Sequence, residues 1–422
     1  MNITTLGEPR FPSPLARAVS DTARVSTRIV QDPAAAPVSD PEHLFELAGP
    51  RPKLFFDPAK TRAGIVTCGG LCPGLNNVIR SLFLELYHSY GVPEVFGFRG
   101  GYQGLDPARG AEPVRLTCDY VDHIHREGGT VLGTSRGPVD TKTAVDNLIA
   151  RGIDILFTIG GDGTQRGGND LYQEARKRGH HLSVVGVPKT IDNDVAFVSR
   201  TFGYFTAVEE ASRVLQCAHM EAHSVQNGIS LVKLMGREAG FIAAGATVAC
   251  QDVNFTLIPE VPFKLQGARG FLPVLKERIL KRAHALIVVA EGAGQDLLQA
   301  STAERDASGN KKLQDIGLFL RQEIEAYFKA QQIPATLRYF DPSYIIRSVP
   351  ADAEDAMLCD LLARHAVHAA MAGKTGLVIG LLHDKFIHVP IELLASQKKR
   401  LDPNDAAWHA VLAATGQPAH FA

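Results

Sequence analysis

The sequence predicts an α/β fold of two lobes, each a mainly parallel sheet sandwiched by helices, preceded by an N-terminal arm. Three observations carry this. Short apolar runs recur after Arg62, glycine-rich breaks follow several of them, and longer helical patterns fill the intervals. Strands that are apolar without alternation belong to a sheet covered on both faces, which is the parallel class.

Taken in order, residues 1–60 carry prolines at 9, 12, 14, 33, 37, 41, 50 and 52 and read as an irregular arm packed over a lobe. Strands are expected at 64–67, 94–98, 153–159, 183–187, 229–233 and 285–290. Helices are expected at 76–89, 141–150, 168–178, 206–221 and 316–330. Residues 299–312 are polar and read as a surface loop. No repeat of fixed period is present.

The 422 residues suit two or three lobes. With 44 Lys+Arg against 45 Asp+Glu the formal charge is -1, which argues against a nucleic-acid or anionic-membrane partner. Six cysteines in a chain this long do not form a disulfide framework, and Cys68 and Cys72 lack the second pair a zinc site needs. The N-terminus has no basic stretch followed by an apolar one, so a cytoplasmic protein is expected.

Glycine clusters mark the chemistry. The run from Gly64 to Asn77 puts Gly69, Gly70 and Gly74 between a strand and a helix, where backbone N–H groups can approach an anion. It matches neither G-x-G-x-x-G nor G-x-x-x-x-G-K-[ST]. A tight turn without a ligand explains it equally well. In the second cluster, Gly160-Gly161-Asp162-Gly163-Thr164, a carboxylate at a strand end flanked by glycines suits a hydrated Mg²⁺ bridging phosphates. The bland reading, an Asp capping the next helix, is weakened by five glycines in nine residues. The third, Lys189-Thr190-Ile191-Asp192-Asn193-Asp194, places two acids on one face of an extended segment. One can take a proton from a hydroxyl, and Lys189 supplies a cation for a transferring phosphoryl group. Downstream, Arg237 and Arg347 have the planar fork that grips phosphate. His219 and His223 at i, i+4 read as a solvated helix face, and Lys398-Lys399-Arg400 as surface.

GIVTCGGLCPGLN, GTSRGP, GGDGTQ, PKTIDND, TFGYFTA, KLMGREAGF, PEVPF, EGAG and DPSYIIRS occur in the order found in 6-phosphofructokinases. The sequence resembles that family over residues 63–350, and most resembles its long branch from plants and trypanosomes. The resemblance implies Rossmann-like lobes: 61–200 for the donor, 201–350 for fructose 6-phosphate, and a helical 351–422 returning to them. It implies phosphoryl transfer from ATP with Mg²⁺. Gly70, Arg136, Gly137, Gly161, Gly163 and Thr164 would hold the donor's phosphates, and Asp162 the metal. Asp192 would be the proton acceptor, with Asp194, Thr190 and Lys189 supporting it. Thr190, Ile191, Asp192, Met235, Gly236, Arg237, Glu291, Tyr344 and Arg347 would bind the sugar phosphate, in a homodimer or homotetramer.

The donor rests on two residues that pull apart. In this family glycine at the position of Gly163 goes with ATP and aspartate with pyrophosphate, because a carboxylate there would fill and repel the α-phosphate region. Lysine at the position of Lys189 is shared with pyrophosphate users. The long branch combines both in ATP enzymes, so ATP is favoured and pyrophosphate is the alternative. A non-catalytic sugar-phosphate sensor would need a degraded base or metal site. A lipid or NAD kinase would lack PKTIDND. The arginine that short bacterial members donate across a subunit interface is replaced here by Gly228, with Arg338 as a candidate substitute.

Overall fold

The computed structural model describes residues 2–30, 44–137, 139–298, 313–394 and 398–422. The loop expected at 299–312 lies outside them, as do residues 31–43 of the arm.

Among the described residues the larger sheet has nine strands. Its centre is parallel, in the order Leu377–Leu382, Ser183–Pro188, Ile155–Gly160, Arg62–Thr67, Glu94–Phe98. The middle three strands are buried along almost their whole length, which is why their sequences show no alternation. Antiparallel strands finish both edges. The smaller sheet is wholly parallel, in the order Phe255–Leu257, His284–Ala290, Gly228–Leu234, Thr336–Phe340. Helices Thr141–Ala150, Ile316–Ala330 and Ala353–Met371 begin at Asp140, Asp315 and Asp352, whose carboxylates accept first-turn N–H groups.

The final segment differs from the helical expectation. After the Ala353–Met371 helix the chain adds Leu377–Leu382 and Lys385–Pro390 to the large sheet as a hairpin. His383 and Asp384 at its tip both have positive φ, 50° and 58°, the turn whose twist matches paired strands. Leu377–Leu382 is a fully buried apolar run and has the signature of a central strand. The arm also contributes strands: Arg24–Ser26 and Leu44–Leu47 extend the sheet beyond this hairpin. A buried ion cluster fixes them, with Glu46 accepting from Arg51 at 2.7 Å, Lys374 at 2.7 Å and His388 at 3.1 Å. Burial alone would raise the Glu46 carboxyl, but His388 and Lys374 overcome it and hold it far below the usual range. Among the described residues no helix is long and apolar enough to cross a membrane.

Candidate active site

Both sheets turn the carboxyl ends of their strands toward one cavity of about 1560 Å³. In the large sheet the chain runs along Arg62–Thr67, steps outward to Glu94–Phe98, then returns to the other side for Ile155–Gly160 and Ser183–Pro188. The strand order reverses between Arg62–Thr67 and Ile155–Gly160, and an α/β sheet takes its ligands at such a reversal. The three sequence clusters leave the sheet there, and Gly69, Gly70, Gly160–Thr164, Lys189–Asp192 and Asp194 all line the cavity. The small sheet supplies Met235, Arg237, Glu291, Tyr344 and Arg347 from its own strand ends, while Gly236 does not reach the lining.

The Asp162–Lys177 helix begins six residues earlier than the expected 168, with Gly161 as its N-cap and no side-chain cap. Local propensity disfavours glycine in a helix by about 1 kcal/mol each, but packing demands it here. A Cβ on Gly167 would lie 2.7 Å from the Tyr102 ring, and one on Gly168 3.3 Å from Thr158 and Val184. Gly163 is different: a Cβ there would meet nothing within 4 Å, and its φ is not positive. Neither fold nor packing requires glycine at 163, which faces the cavity in a helical first turn; Thr164 N–H already donates to Gly161 O at 2.9 Å, and the N–H groups before it precede the helical ladder.

Cations converge on the Gly69–Gly70 turn. Lys189 donates to the Gly70 carbonyl at 2.7 Å. A Cβ on Gly70 would lie 3.6 Å from Arg136 Nη2 and 3.7 Å from Arg347 Nη1, so guanidiniums of both lobes meet at one spot. Arg347 stacks on Tyr344, 4.4 Å from the ring centre, and its buried Nε has no partner among the described residues. Positive groups brought together this way make a seat for phosphate. Burial pushes the Lys189 ammonium below its ordinary pKa.

Asp192 Oδ1 is buried without a hydrogen-bond partner among the described residues. Burial, then the charges of Asp194 and Glu291, push this carboxyl up to about 7. Thr190 Oγ1 donates to Asp194 Oδ1 at 2.7 Å and accepts the Asp192 N–H at 3.2 Å, tying both acids to one hydroxyl. Burial also raises Glu291, against the pull of Arg237. The Arg237 backbone N–H holds the carboxylate against that rise, and one free oxygen with a pKa near neutrality is what a general base needs.

Asp162 is the first residue of its helix, and its Oδ2 already carries a cation, the Lys398 ammonium at 2.5 Å. No group of three or more His, Cys, Asp or Glu able to hold a metal ion occurs among the described residues. This donor set fits Mg²⁺, which keeps several waters and binds through one or two carboxylates plus substrate phosphates. His219 and His223 pack with His284, ring centres 4.7 to 5.7 Å apart, remote from the cavity. Gly228 opens its strand at the end away from the cavity, and Arg338 pairs with Glu221 at 2.8 Å, so neither lines it.

The Phosphofructokinase family model matches residues 62–370. The chain belongs to the phosphofructokinase family. Similar proteins include the ATP-dependent 6-phosphofructokinase of Borreliella burgdorferi, 48% identical over 381 residues, 89% of this chain and 85% of that one. ATP-dependent 6-phosphofructokinase 1 of Arabidopsis thaliana is 47% identical over 378 residues, 89% of this chain and 79% of that one. The Trypanosoma brucei brucei ATP-dependent 6-phosphofructokinase is 48% identical over 378 residues, 89% and 77% of the two chains. Among solved structures, a pyrophosphate-dependent phosphofructokinase from Marinobacter aquaeolei superposes with a TM-score of 0.70 at 20% identity, covering 84% of this chain and 91% of that one. That likeness shows the fold.

Within this phosphofructokinase fold, three side chains at the site escaped the sequence reading. Gln165 is buried against the strand ends, donating to Gly160 O at 2.9 Å and Thr158 O at 3.2 Å. Lys233 lines the small-lobe side, bridging Asp315 at 2.8 Å and Asp341 at 2.9 Å. The third adds to the surface reading of the basic run: Lys398, its side chain 36% exposed, reaches Asp162 at the cavity wall, Lys399 bonds Asn193 at 3.0 Å, and Arg400 pairs with Glu238 at 3.1 Å. Gln165 was visible as a polar residue next to a glycine cluster. Lys398 was visible only as part of a basic run.

Proposed function

We propose that this chain transfers the γ-phosphoryl group of ATP to the 1-hydroxyl of fructose 6-phosphate, giving fructose 1,6-bisphosphate and ADP. The observation that carries the donor is Gly163, a glycine that neither backbone nor packing requires, open to the cavity at a helix N-terminus. The similarity to ATP-dependent 6-phosphofructokinases at 47% and 48% identity supports the same donor.

Asp192 accepts the proton of the 1-hydroxyl, and its pKa of about 7 lets it do so at neutral pH. Thr190 and Asp194 hold it in place. The first turn of the Asp162–Lys177 helix, with Gly70, Arg136, Gly137 and Lys189, takes the donor's phosphates. Arg237, Glu291, Tyr344 and Arg347, on the small lobe, hold the sugar phosphate. Asp162 would hold Mg²⁺, which supplies charge neutralisation on the transferring group. Positioning and neutralisation are the main demands of phosphoryl transfer, and this site is built for both. The reading extends to a homodimer or homotetramer in the cytoplasm, where the six free thiols stay reduced.

Phosphorus NMR of the purified chain with ATP, Mg²⁺ and fructose 6-phosphate tests this. ADP and a second sugar phosphoester at C1 are expected. ATP left intact, with phosphoester formed only when pyrophosphate is supplied, would replace ATP by pyrophosphate as donor.

A further inference from the structure

Lys398 sits 204 residues beyond Asp194 and outside the residues matched by the family model, yet its ammonium reaches two acids of the cavity wall. Its Nζ is 2.5 Å from Asp162 Oδ2 and 3.0 Å from Asp194 Oδ2. It is delivered there by an anchored backbone. Lys398 bridges Val195 as an antiparallel pair, and Lys399 N–H donates to the Asp194 carbonyl at 3.0 Å. Lys399 Nζ donates to Asn193 Oδ1 at 3.0 Å and Val198 O at 2.7 Å, and Leu401 N–H to Glu260 at 2.9 Å.

We propose that Lys398 is a positioning residue of the phosphoryl-transfer site, an internal counter-cation that ties Asp162 to Asp194 in the metal-free enzyme and sets the affinity of Asp162 for its divalent cation. The inference rests on Asp162 as the metal carrier proposed above. Without the ammonium the two carboxylates repel each other across a shared space. With it, a divalent cation must take Asp162 Oδ2 from a bonded partner. The charge that steadies the two carboxylates therefore opposes the metal. Arginine keeps that charge, and methionine keeps the stem without it.

The test is Mn²⁺ binding to the full chain without nucleotide or sugar, followed by water-proton relaxation at low ionic strength. Lys398→Met is expected to bind Mn²⁺ about tenfold more tightly than wild type, and Lys398→Arg within about twofold. The metal-free Lys398→Met protein is expected to melt lower and to regain the loss when Mn²⁺ is added. Lys398→Gln repeats the comparison if Lys398→Met fails to fold. Equal or weaker Mn²⁺ binding without the ammonium, or none in any chain, would overturn the proposal. Asp162→Asn separates the two layers. If it binds Mn²⁺ as wild type does, the metal assignment itself fails. If it loses Mn²⁺ while Lys398→Met is unchanged, only the role of Lys398 fails.

Discussion

Gly163→Asp tests the proposed role of Gly163 in selecting the donor. A Cβ at 163 meets nothing within 4 Å, so the new side chain projects into the cavity without a clash. Two unit charges about 6 Å apart repel by about 3 kcal/mol at an effective dielectric of about 20, the scale set for a carboxylate there facing a donor phosphate. That corresponds to a rise of about 100-fold in KM for ATP, trimmed by salt. The fold should not suffer, since an acid in a helical first turn contributes about 0.3–1 kcal/mol and replaces an unfavourable glycine. Steady-state kinetics with varied ATP, isothermal titration with fructose 6-phosphate and a urea melt measure the three effects separately. ATP use should collapse while sugar-phosphate affinity and stability hold. Unchanged ATP kinetics, or equal losses for both ligands, would show that position 163 does not face the donor.

Other residues give separate tests. Asp192→Asn should lower kcat by about 10²- to 10⁴-fold with little change in KM for fructose 6-phosphate, as removal of a general base does. The wild-type kcat/KM should fall as pH drops through about 7, and the variant should lack that limb. Because the native pKa of Asp192 is raised, its contribution to stability is present at low pH and lost as pH rises from about 4 through about 7. Urea melts should therefore find Asp192→Asn gaining on wild type at pH 8 relative to pH 5. Arg347→Lys keeps the charge but loses the planar fork and the stack on Tyr344, and KM for fructose 6-phosphate should rise about 10- to 100-fold in initial-rate assays. Gln165→Ala removes a buried clasp on the Gly160 and Thr158 carbonyls and should cost about 2–4 kcal/mol in urea unfolding.

Much of the site was legible because parallel topology turns sequence order into proximity. Gly69–Gly70, Gly160–Thr164 and Lys189–Asp194 each follow a buried strand, and adjacent parallel strands present such ends side by side. What sequence did not separate was the purpose of individual glycines. Gly167 and Gly168 answer to Tyr102, Thr158 and Val184, while Gly163 answers to the cavity, and the three look alike as letters. The Leu377–Leu382 strand had the apolar signature but sat past the last recognised motif. Lys398 was out of reach for a different reason. Its role comes from a tertiary contact between the chain's final segment and Asp162 and Asp194, which no local pattern encodes.

The most direct measurement is kcat/KM of the wild-type chain for ATP and for pyrophosphate, side by side, at saturating fructose 6-phosphate and Mg²⁺. The proposed donor predicts a ratio well above one in favour of ATP. A ratio near one, or turnover with pyrophosphate alone, would contradict it.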